Sequence, residues 1–329
     1  MNTQLPVMHP VYLLIDRLRD HLCGFTSAFV NYTHFKEQYN QLLPRLQRGE
    51  CLCLCPASLG DTLLFFEYKS IIEKQHQLTC FPLIKPSHQT VAKLCGVKEY
   101  AVIQDTRAFL RWLILYHKGR NLAFKDKLGF KVIHPQKGKT FITHFGFSCE
   151  QPTVSCHEKA PAGWLFLCTH LKSFNLPEDT PRQHTLRLER IAPAPVPPGQ
   201  KRILLAPEAL SLHLPLLTRT WVTLAQHLQQ RGYTVVYNAL KEDKHLSQYA
   251  TWLNGSLEQA IAVARSAEQV ISLRSGLCDI LADLGPKLHV IYPHLTSYQS
   301  FGLEGIFGPR GVHEYIFQTP EKLLAQLGL

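Results

Sequence analysis

The fold is decided by the stretch Val270-Ile271-Ser272-Leu273-Arg274-Ser275-Gly276-Leu277-Cys278-Asp279-Ile280-Leu281-Ala282. A buried strand is predicted to end at Leu273, and an apolar helix to begin near Gly276. Backbone N–H groups at such a helix start are unpaired and carry the positive end of the helix dipole, so they suit a phosphate. Gly276 lets the backbone approach closely, Ser275 adds a hydroxyl donor, and Arg274 adds a fork that matches phosphate oxygens. The same pattern also fits a plain helix cap at Ser275 and a surface charge at Arg274.

This turn belongs to a regular alternation of strands and helices. Strands are predicted at 202–205, 234–237, 269–273 and 287–292, and helices at 217–230, 256–266 and 320–327. Such a rhythm predicts a parallel sheet that is covered on both faces.

A second turn of the same kind is Pro56-Ala57-Ser58-Leu59-Gly60-Asp61-Thr62-Leu63, which follows a predicted buried strand at 51–56. A carboxylate at a helix start beside a cleft can accept a proton from an attacking hydroxyl, as a general base does. Asp61 is therefore the catalytic candidate, with Ser58 and Gly60 shaping its turn. An Asp at this position also stabilises a helix start without any catalytic role, and this alternative stays open.

The rest of the N-terminal half is less regular. Strands are predicted at 78–84, 100–103 and 164–168 and helices at 86–95 and 109–116, while the basic segment 117–160 has no assignment. Along the first strand Cys51, Cys53 and Cys55 alternate, so they face one side and are predicted to pack in a core.

The chain has 329 residues, enough for two α/β domains of roughly 100–200 residues each. The clearest boundary is 191–199, where four prolines stand within six positions and prevent helix formation. We predict a helical extension over 1–49, one Rossmann-like domain over 50–190, a linker over 191–199 and a second Rossmann-like domain over 200–329. The carboxyl ends of both sets of strands are expected to face a central cleft.

The net charge and the absence of several motifs limit the classes of function that the sequence allows. Lys and Arg number 35 against 25 Asp and Glu, and the net charge of +10 suits an anionic partner. Phosphate-loop, GxGxxG and GxSxG motifs are missing, which disfavours ordinary kinases, NAD dehydrogenases and α/β-hydrolases. No Asp-x-Asp or HExxH motif is found, so neither a metal nor another cofactor is expected. No nucleic-acid module is recognised, and nucleic acid is not an expected partner.

Localisation follows from what the sequence lacks. No apolar run approaches the ~20 residues that span a bilayer. With no signal peptide, the cytoplasm is the expected compartment. A peripheral contact with the inner face of a membrane, through residues 11–20, is kept as an alternative.

Several segments together resemble the heptosyltransferase-type glycosyltransferases (glycosyltransferase family 9), inverting enzymes of the GT-B architecture. They are Ser256-Leu257-Glu258-Gln259-Ala260, the stretch 270–282, Leu284-Gly285-Pro286 and Tyr292-Pro293. In addition, Ser58-Leu59-Gly60-Asp61-Thr62-Leu63 resembles the Gly-Asp-x-Leu motif of the family's first strand.

The resemblance implies an α/β fold of GT-B type, with an acceptor domain over 50–190 and a nucleotide-sugar domain over 200–329. It implies an inverting, metal-independent transfer from a nucleotide-diphosphate sugar to a glycan or lipid-linked saccharide, as in lipopolysaccharide biosynthesis. Asp61 would then deprotonate the acceptor hydroxyl. The turn of Ser275, Gly276 and Leu277 would hold the diphosphate, and Glu242 would contact the donor ribose.

The chain also departs from the family pattern. The family usually has an Asp, which contacts the donor sugar, where this chain has Arg274, and a His where it has Asp279. No counterpart of the family's phosphate-binding Lys is found, although Arg219 lies nearby and Arg274 could supply the charge. The Arg-Ser-Gly turn also resembles that of some fucosyltransferases. Two alternatives follow: a GDP-deoxysugar or other donor on the same fold, or a nucleotide- or glycan-binding protein without activity.

Overall fold

The structure is a computed structural model that describes residues 26, 30–55, 58–116, 131–133, 140–141, 161–174, 176–209 and 217–328. The segment 11–20, the turn residues Pro56 and Ala57, and most of 117–160 lie outside the described residues.

Helices and strands are labelled in chain order within these ranges. The helices are α1 (Tyr32–Gln47), α2 (Leu59–His76), α3 (Gln89–Leu94), α4 (Thr106–Tyr116), α5 (Trp164–Ser173), α6 (Leu217–Gln230), α7 (Leu257–Ser266), α8 (Gly276–Leu281), α9 (Leu295–Phe301), α10 (Leu303–Phe307) and α11 (Pro320–Gln326). The strands are β1 (Glu50–Leu54), β2 (Thr79–Ile84), β3 (Ala101–Val102), β4 (Lys131–Ile133), β5 (Thr140–Phe141), β6 (Lys201–Ala206), β7 (Tyr233–Tyr237), β8 (Thr251–Trp252), β9 (Gln269–Leu273), β10 (Leu288–Tyr292) and β11 (His313–Ile316).

The first sheet has the order β3-β2-β1-β4-β5 among the described strands. β1, β2 and β3 are parallel, and β4 and β5 are antiparallel additions beside β1. Along β1 the side chains alternate between two cores: Cys51, Cys53 and Cys55 lie in the core shared with the second sheet. Leu52 and Leu54 lie in the core beneath α1 and α4. The predicted packing role of the three cysteines is confirmed.

The second sheet has the order β8-β7-β6-β9-β10-β11 among the described strands, and every adjacent pair is parallel. Renumbered within the domain, this is the order 3-2-1-4-5-6 of a doubly wound sheet. The order reverses between β6 and β9, where Ala206 pairs with Ser272. The predicted α/β class with parallel sheets is confirmed, and the turn that follows Leu273 lies beside this reversal.

One predicted element is wrong. Residues 164–168 were expected to form a strand, but Trp164–Ser173 is the helix α5. A short apolar run fits a buried strand and a buried helix equally well, so periodicity cannot separate them. The helix packs against α9 and α10 of the second sheet's domain.

Helix α1 joins the first domain. Its residues Phe35, Tyr39 and Leu42 are buried in one cluster with Phe109 and Trp112 of α4. The structure therefore makes α1 part of the first domain's core, where the sequence pattern set residues 1–49 apart as an extension. In the described ranges, no helix combines the length and apolar character that crossing a bilayer requires.

The two sheets meet through a continuous apolar core. It contains Leu63 and Phe65 of α2 together with Leu277 and Ile280 of α8. Because α2 follows β1 and α8 follows β9, this contact brings together the carboxyl ends of one strand from each sheet. The segment 191–200, without helix or strand, leads into β6.

Candidate functional site

The start of α2 fixes the position of Asp61. Ser58 is the N-cap, and its hydroxyl accepts a hydrogen bond from the Asp61 N–H at 3.3 Å. In return, Asp61 Oδ2 accepts hydrogen bonds from the backbone N–H and the hydroxyl of Ser58, both at 3.0 Å. This reciprocal capping box satisfies donors that a helix start leaves unpaired. It also occupies one oxygen of the candidate base.

The other oxygen of Asp61 is held by a residue that the sequence analysis did not single out. His170 Nε2 lies 3.0 Å from Asp61 Oδ1, and the two side chains are 6% and 9% exposed. His170 Nδ1 lies 2.8 Å from the carbonyl oxygen of Phe166. A neutral imidazole carries one N–H, so donation to two oxygen acceptors requires both ring protons. The geometry therefore describes a carboxylate–imidazolium pair.

The environment of Asp61 favours its ionised form. Burial raises the pKa of Asp61, but the hydrogen bond and charge of His170 and the donors of Ser58 outweigh burial, so its pKa is lowered. A carboxylate in this state is a weaker base than a free one. Its value as a proton acceptor therefore depends on where these partners are when substrate is bound.

A second buried ion pair lies in α8 and the residue before it. Arg274 Nη2 donates to Asp279 Oδ1 at 2.7 Å, and the two side chains are 7% and 8% exposed. The other guanidinium nitrogens donate to the carbonyl oxygens of Phe301 at 2.8 Å and Ser275 at 2.6 Å. Each of the three guanidinium nitrogens of Arg274, predicted as a fork for phosphate, thus donates one hydrogen bond to a protein oxygen. Asp279 is paired with Arg274 inside the protein.

The two ion pairs form one cluster. A Cβ built on Gly60 would lie 2.1 Å from Asp279 Oδ2, so the backbone of α2 touches the carboxylate of α8. Burial raises the pKa of Asp279 against the opposing charge of Arg274, and the neighbouring Asp61 raises it further. We call Asp61, His170, Arg274 and Asp279 the four-charge cluster.

The predicted diphosphate turn lies directly against the start of α2. A Cβ built on Gly276 would lie 3.1 Å from Leu59 Cβ and 3.4 Å from the backbone nitrogen of Gly60. Ser275 is the N-cap of α8, and its side chain makes no capping hydrogen bond. Leu277 buries its side chain in the shared core. The two turns quoted from the sequence are thus brought together, and in this arrangement they are in contact.

The two remaining predicted site residues have other neighbours. Glu242 is exposed after β7, and its Oε1 accepts a hydrogen bond from the Ser247 hydroxyl at 3.0 Å. Arg219 is exposed in the first turn of α6, and its charge acts on Glu321 at the start of α11. Both follow carboxyl ends of strands in the second sheet, but neither is part of the four-charge cluster.

A surface groove of about 780 Å³ lies between residues 184–189 and the second domain. It is lined by His184, Leu186, Arg187, Leu188, Glu189, Arg265, Ala282, Asp283, Leu284, Pro309 and Arg310. None of the predicted site residues lines it. The groove and the four-charge cluster are therefore separate features.

No protein-family profile matches the chain, and no curated protein sequence matches it. Solved structures of similar fold are glycosyltransferases. TibC, an iron-containing dodecameric glycosyltransferase from enterotoxigenic E. coli H10407, is 14% identical, with a TM-score of 0.45 over 81% of this chain and 61% of TibC. A family 9 glycosyl transferase from Veillonella parvula DSM 2008 is 14% identical, with a TM-score of 0.48 over 84% of this chain and 88% of that one.

The ADP-heptose lipopolysaccharide heptosyltransferase II of E. coli is 12% identical, with a TM-score of 0.45 over 84% of this chain and 97% of that one. These proteins are of the type that the sequence motifs resemble. The chain spans about 61% of the length of TibC. Similarity at this level assigns no donor, acceptor or residue role to this chain.

The expectation that no cofactor is present is contradicted by these comparisons, because TibC is an iron-containing protein. Across the described part of the chain, no group of three His, Cys, Asp or Glu side chains is arranged to hold a metal ion.

Proposed function

We propose that this protein is a glycosyltransferase that moves a sugar from a nucleotide-diphosphate donor to a glycan or lipid-linked saccharide. One observation carries the proposal: the strand order of the second sheet reverses between β6 and β9, beside the turn of Ser275 and Gly276. Open α/β sheets bind nucleotides in the crevice at such a reversal. The turn that carries Asp61 packs against the same place.

The chemistry assigned to this site is a single displacement. Asp61 accepts the proton of the acceptor hydroxyl, whose oxygen forms a bond to the anomeric carbon. The bond from that carbon to the diphosphate oxygen breaks, and the nucleoside diphosphate leaves with its electron pair. Attack opposite the leaving group inverts the anomeric carbon. The backbone N–H groups of Ser275, Gly276 and Leu277 meet the charge that develops on the diphosphate.

Substrate entry requires the two turns to separate. Leu59 and Gly60 cover Gly276, and Asp61 has both oxygens hydrogen-bonded. In the arrangement described here the two turns are closed on each other. We propose that the donor binds to an open form and that closure brings Asp61 to the acceptor, as domain closure does in other transferases.

The test is a panel of ADP-, GDP- and UDP-linked sugars, ADP-heptose included, with thermal stabilisation and release of nucleoside diphosphate as readouts. A donor at about 100 times its Kd adds about 2.7 kcal/mol of stability. Loss of the base should lower kcat by about 100-fold or more in Asp61→Asn while donor binding persists.

The matched control is Asp105→Asn, because Asp105 also accepts a backbone hydrogen bond at a helix start in the first domain, from Ala108 at 2.9 Å. Full turnover by the Asp61→Asn variant would refute the assignment of the base. Failure of every nucleotide and nucleotide sugar to bind would refute the proposed function.

A second candidate is a nucleotide- or glycan-binding protein without turnover. It is favoured by the internal pairing of Arg274 with Asp279 and by the three hydrogen bonds that Asp61 accepts within the protein. For this candidate, a donor stabilises the protein, no nucleoside diphosphate is released, and Asp61→Asn changes neither result.

A further inference from the structure

Helix α5 bridges the two domains, and its start is docked on the second one. Gly163 donates a backbone hydrogen bond to Gln299 at 2.9 Å, and Gly305 donates one to Ala162 at 3.0 Å. A Cβ built on Gly305 would lie 2.3 Å from the Ala162 carbonyl oxygen and 2.4 Å from the Trp164 nitrogen. The absence of a side chain at Gly305 therefore allows the close approach of the two backbones.

A series of contacts connects this docked start of α5 to Asp61, the candidate base. The Phe301 ring, in the second domain, packs edge-on against the Phe166 ring with centroids 5.5 Å apart. The Phe166 ring lies 4.2 Å from the His170 ring, and the Phe166 carbonyl oxygen accepts from His170 Nδ1. His170 Nε2 then donates to Asp61 Oδ1. The same Phe301 accepts a hydrogen bond from Arg274 through its carbonyl oxygen, so the second ion pair is joined to this path.

We infer that His170 is a positioning residue that holds Asp61 ionised and oriented, and that the docking of α5 on the second domain makes this hold depend on domain closure. The catalytic meaning of the inference rests on the proposed function. The claim that His170 keeps Asp61 ionised does not rest on it, because residues of the chain alone form this pair.

The other charged groups around Asp61 do not replace His170. Asp279 opposes the ionisation of Asp61, and Arg274 directs its charge to Asp279. His88 lies nearby on the first domain, but burial, reinforced by Lys85, lowers its pKa to about 4, so it is neutral at pH 7. The buried Cys55 thiol, whose pKa is raised by burial, is also neutral. Without the His170 cation, burial would dominate and raise the pKa of Asp61.

The first test needs no substrate. Thermal unfolding is measured against pH for the wild type, His170→Gln and Leu171→Ala. Gln keeps a neutral N–H donor toward Asp61, while Leu171, fully buried on the same helix, is the control for lost packing. In the wild type the lowered pKa of Asp61 gives stability that is lost only as pH falls through that lowered value.

In His170→Gln the pKa should lie above that of the unfolded chain. The contribution of Asp61 is then present at acid pH and lost as pH rises through the raised value. We therefore expect the acid loss that Asp61 gives the wild type to disappear, and a loss of stability to replace it as pH rises above about 4, the pKa of an unfolded Asp. Leu171→Ala should lower the midpoint temperature at every pH and leave the shape of the profile unchanged. A His170→Gln profile parallel to that of Leu171→Ala overturns the inference.

Two further measurements secure the test. If His170→Gln does not fold, ring-nitrogen NMR of the wild type decides, because the inference requires both nitrogens of His170 to be protonated at neutral pH, and a single N–H refutes it. Gly305→Ala should undock α5 and weaken the acid loss of stability in the same direction as His170→Gln. A folded Gly305→Ala variant with the wild-type pH profile removes the coupling to closure.

Activity then separates this inference from the proposed function. With a donor identified, the acid limb of kcat/KM should shift upward in His170→Gln but not in Leu171→Ala. If the stability profile shifts while no donor is turned over, the His170–Asp61 pair stands and the proposed function fails. If turnover is found and neither profile shifts, the transferase stands and the role of His170 fails.

Discussion

Replacement of Gly60 by Ala sets two physical effects against each other. Gly60 is the second residue of α2, where a change from Gly to Ala ordinarily stabilises a helix by about 0.5–1 kcal/mol. At this site, however, the new Cβ would lie 2.1 Å from Asp279 Oδ2 and 2.8 Å from its Cγ. Both distances are too short for non-bonded atoms, so the carboxylate or the helix must move.

The cost follows from what holds Asp279 in place. Its carboxylate is buried and bonded to Arg274 at 2.7 Å, so displacement leaves a buried guanidinium without its charge partner. Breaking a buried pair in this way costs about 3–5 kcal/mol. After the helix gain is subtracted, Gly60→Ala should lower the free energy of unfolding by about 2–4.5 kcal/mol.

Urea unfolding followed by tryptophan fluorescence and circular dichroism measures this difference, and agreement between the two probes tests for a single transition. Asp279→Ala provides the matched background because it removes the colliding carboxylate. There, Gly60→Ala should be neutral or stabilise by about 0.5–1 kcal/mol. If Gly60→Ala were as stable as the wild type, the close contact between α2 and α8 would not exist in the protein.

Three further changes test other parts of the structure. Burial raises the pKa of Glu67 to about 7 from 4.5, so the folded state holds a proton that the unfolded state has released, and stability should fall between those pH values. Glu67→Gln should remove this fall, which is measured as the unfolding temperature against pH. The same pH dependence in the variant would contradict the raised pKa of Glu67. Burial and the nearby His313 lower the pKa of His289 to about 4 from 6.5, so its contribution is present above 6.5 and lost as pH falls toward 4. His289→Phe should reduce the loss of stability between pH 6.5 and 4. The same loss in this variant would contradict the lowered pKa of His289. Ser256 caps α7 by accepting from the Gln259 N–H at 3.3 Å, so Ser256→Ala should cost about 1 kcal/mol in urea unfolding. Equal stability would show that the cap contributes nothing.

The elements of the second domain could be predicted closely because the residues that begin and end them are local signals. The strand Gln269–Leu273 and the helix Leu217–Gln230 have the predicted bounds. Gly232, in the left-handed conformation, ends the helix region, and Ser256 begins the next helix with a capping box. Each of these signals acts within a few residues. α5 lacked such signals, and its apolar start was mistaken for a strand.

The site was only partly predictable. The sequence indicated that Ser58–Asp61 and Ser275–Gly276 begin helices after buried strands, and parallel topology then places both at strand carboxyl ends. It could not show that Arg274 turns inward to Asp279, because both residues also fit a ligand-facing turn. His170 was missed because its partner Asp61 is 109 residues away and nothing near His170 marks the pairing.

The four-charge cluster contains two negative and two positive side chains, but its two ion pairs differ in chemistry. Gly60 brings two carboxylates, Asp61 and Asp279, into one buried space, where each needs a cation. Arg274 keeps its charge at any pH that the protein survives and lies five residues from Asp279 in the same domain, whereas His170 reaches Asp61 from α5. The Asp279 half is therefore the permanent part of the interface, and the Asp61–His170 half is the part that can be released. Since His170 lies on α5, separation of the two turns should begin at α5 and leave the Arg274–Asp279 pair intact, which hydrogen exchange of α5 and α8 amides in the same sample can compare directly.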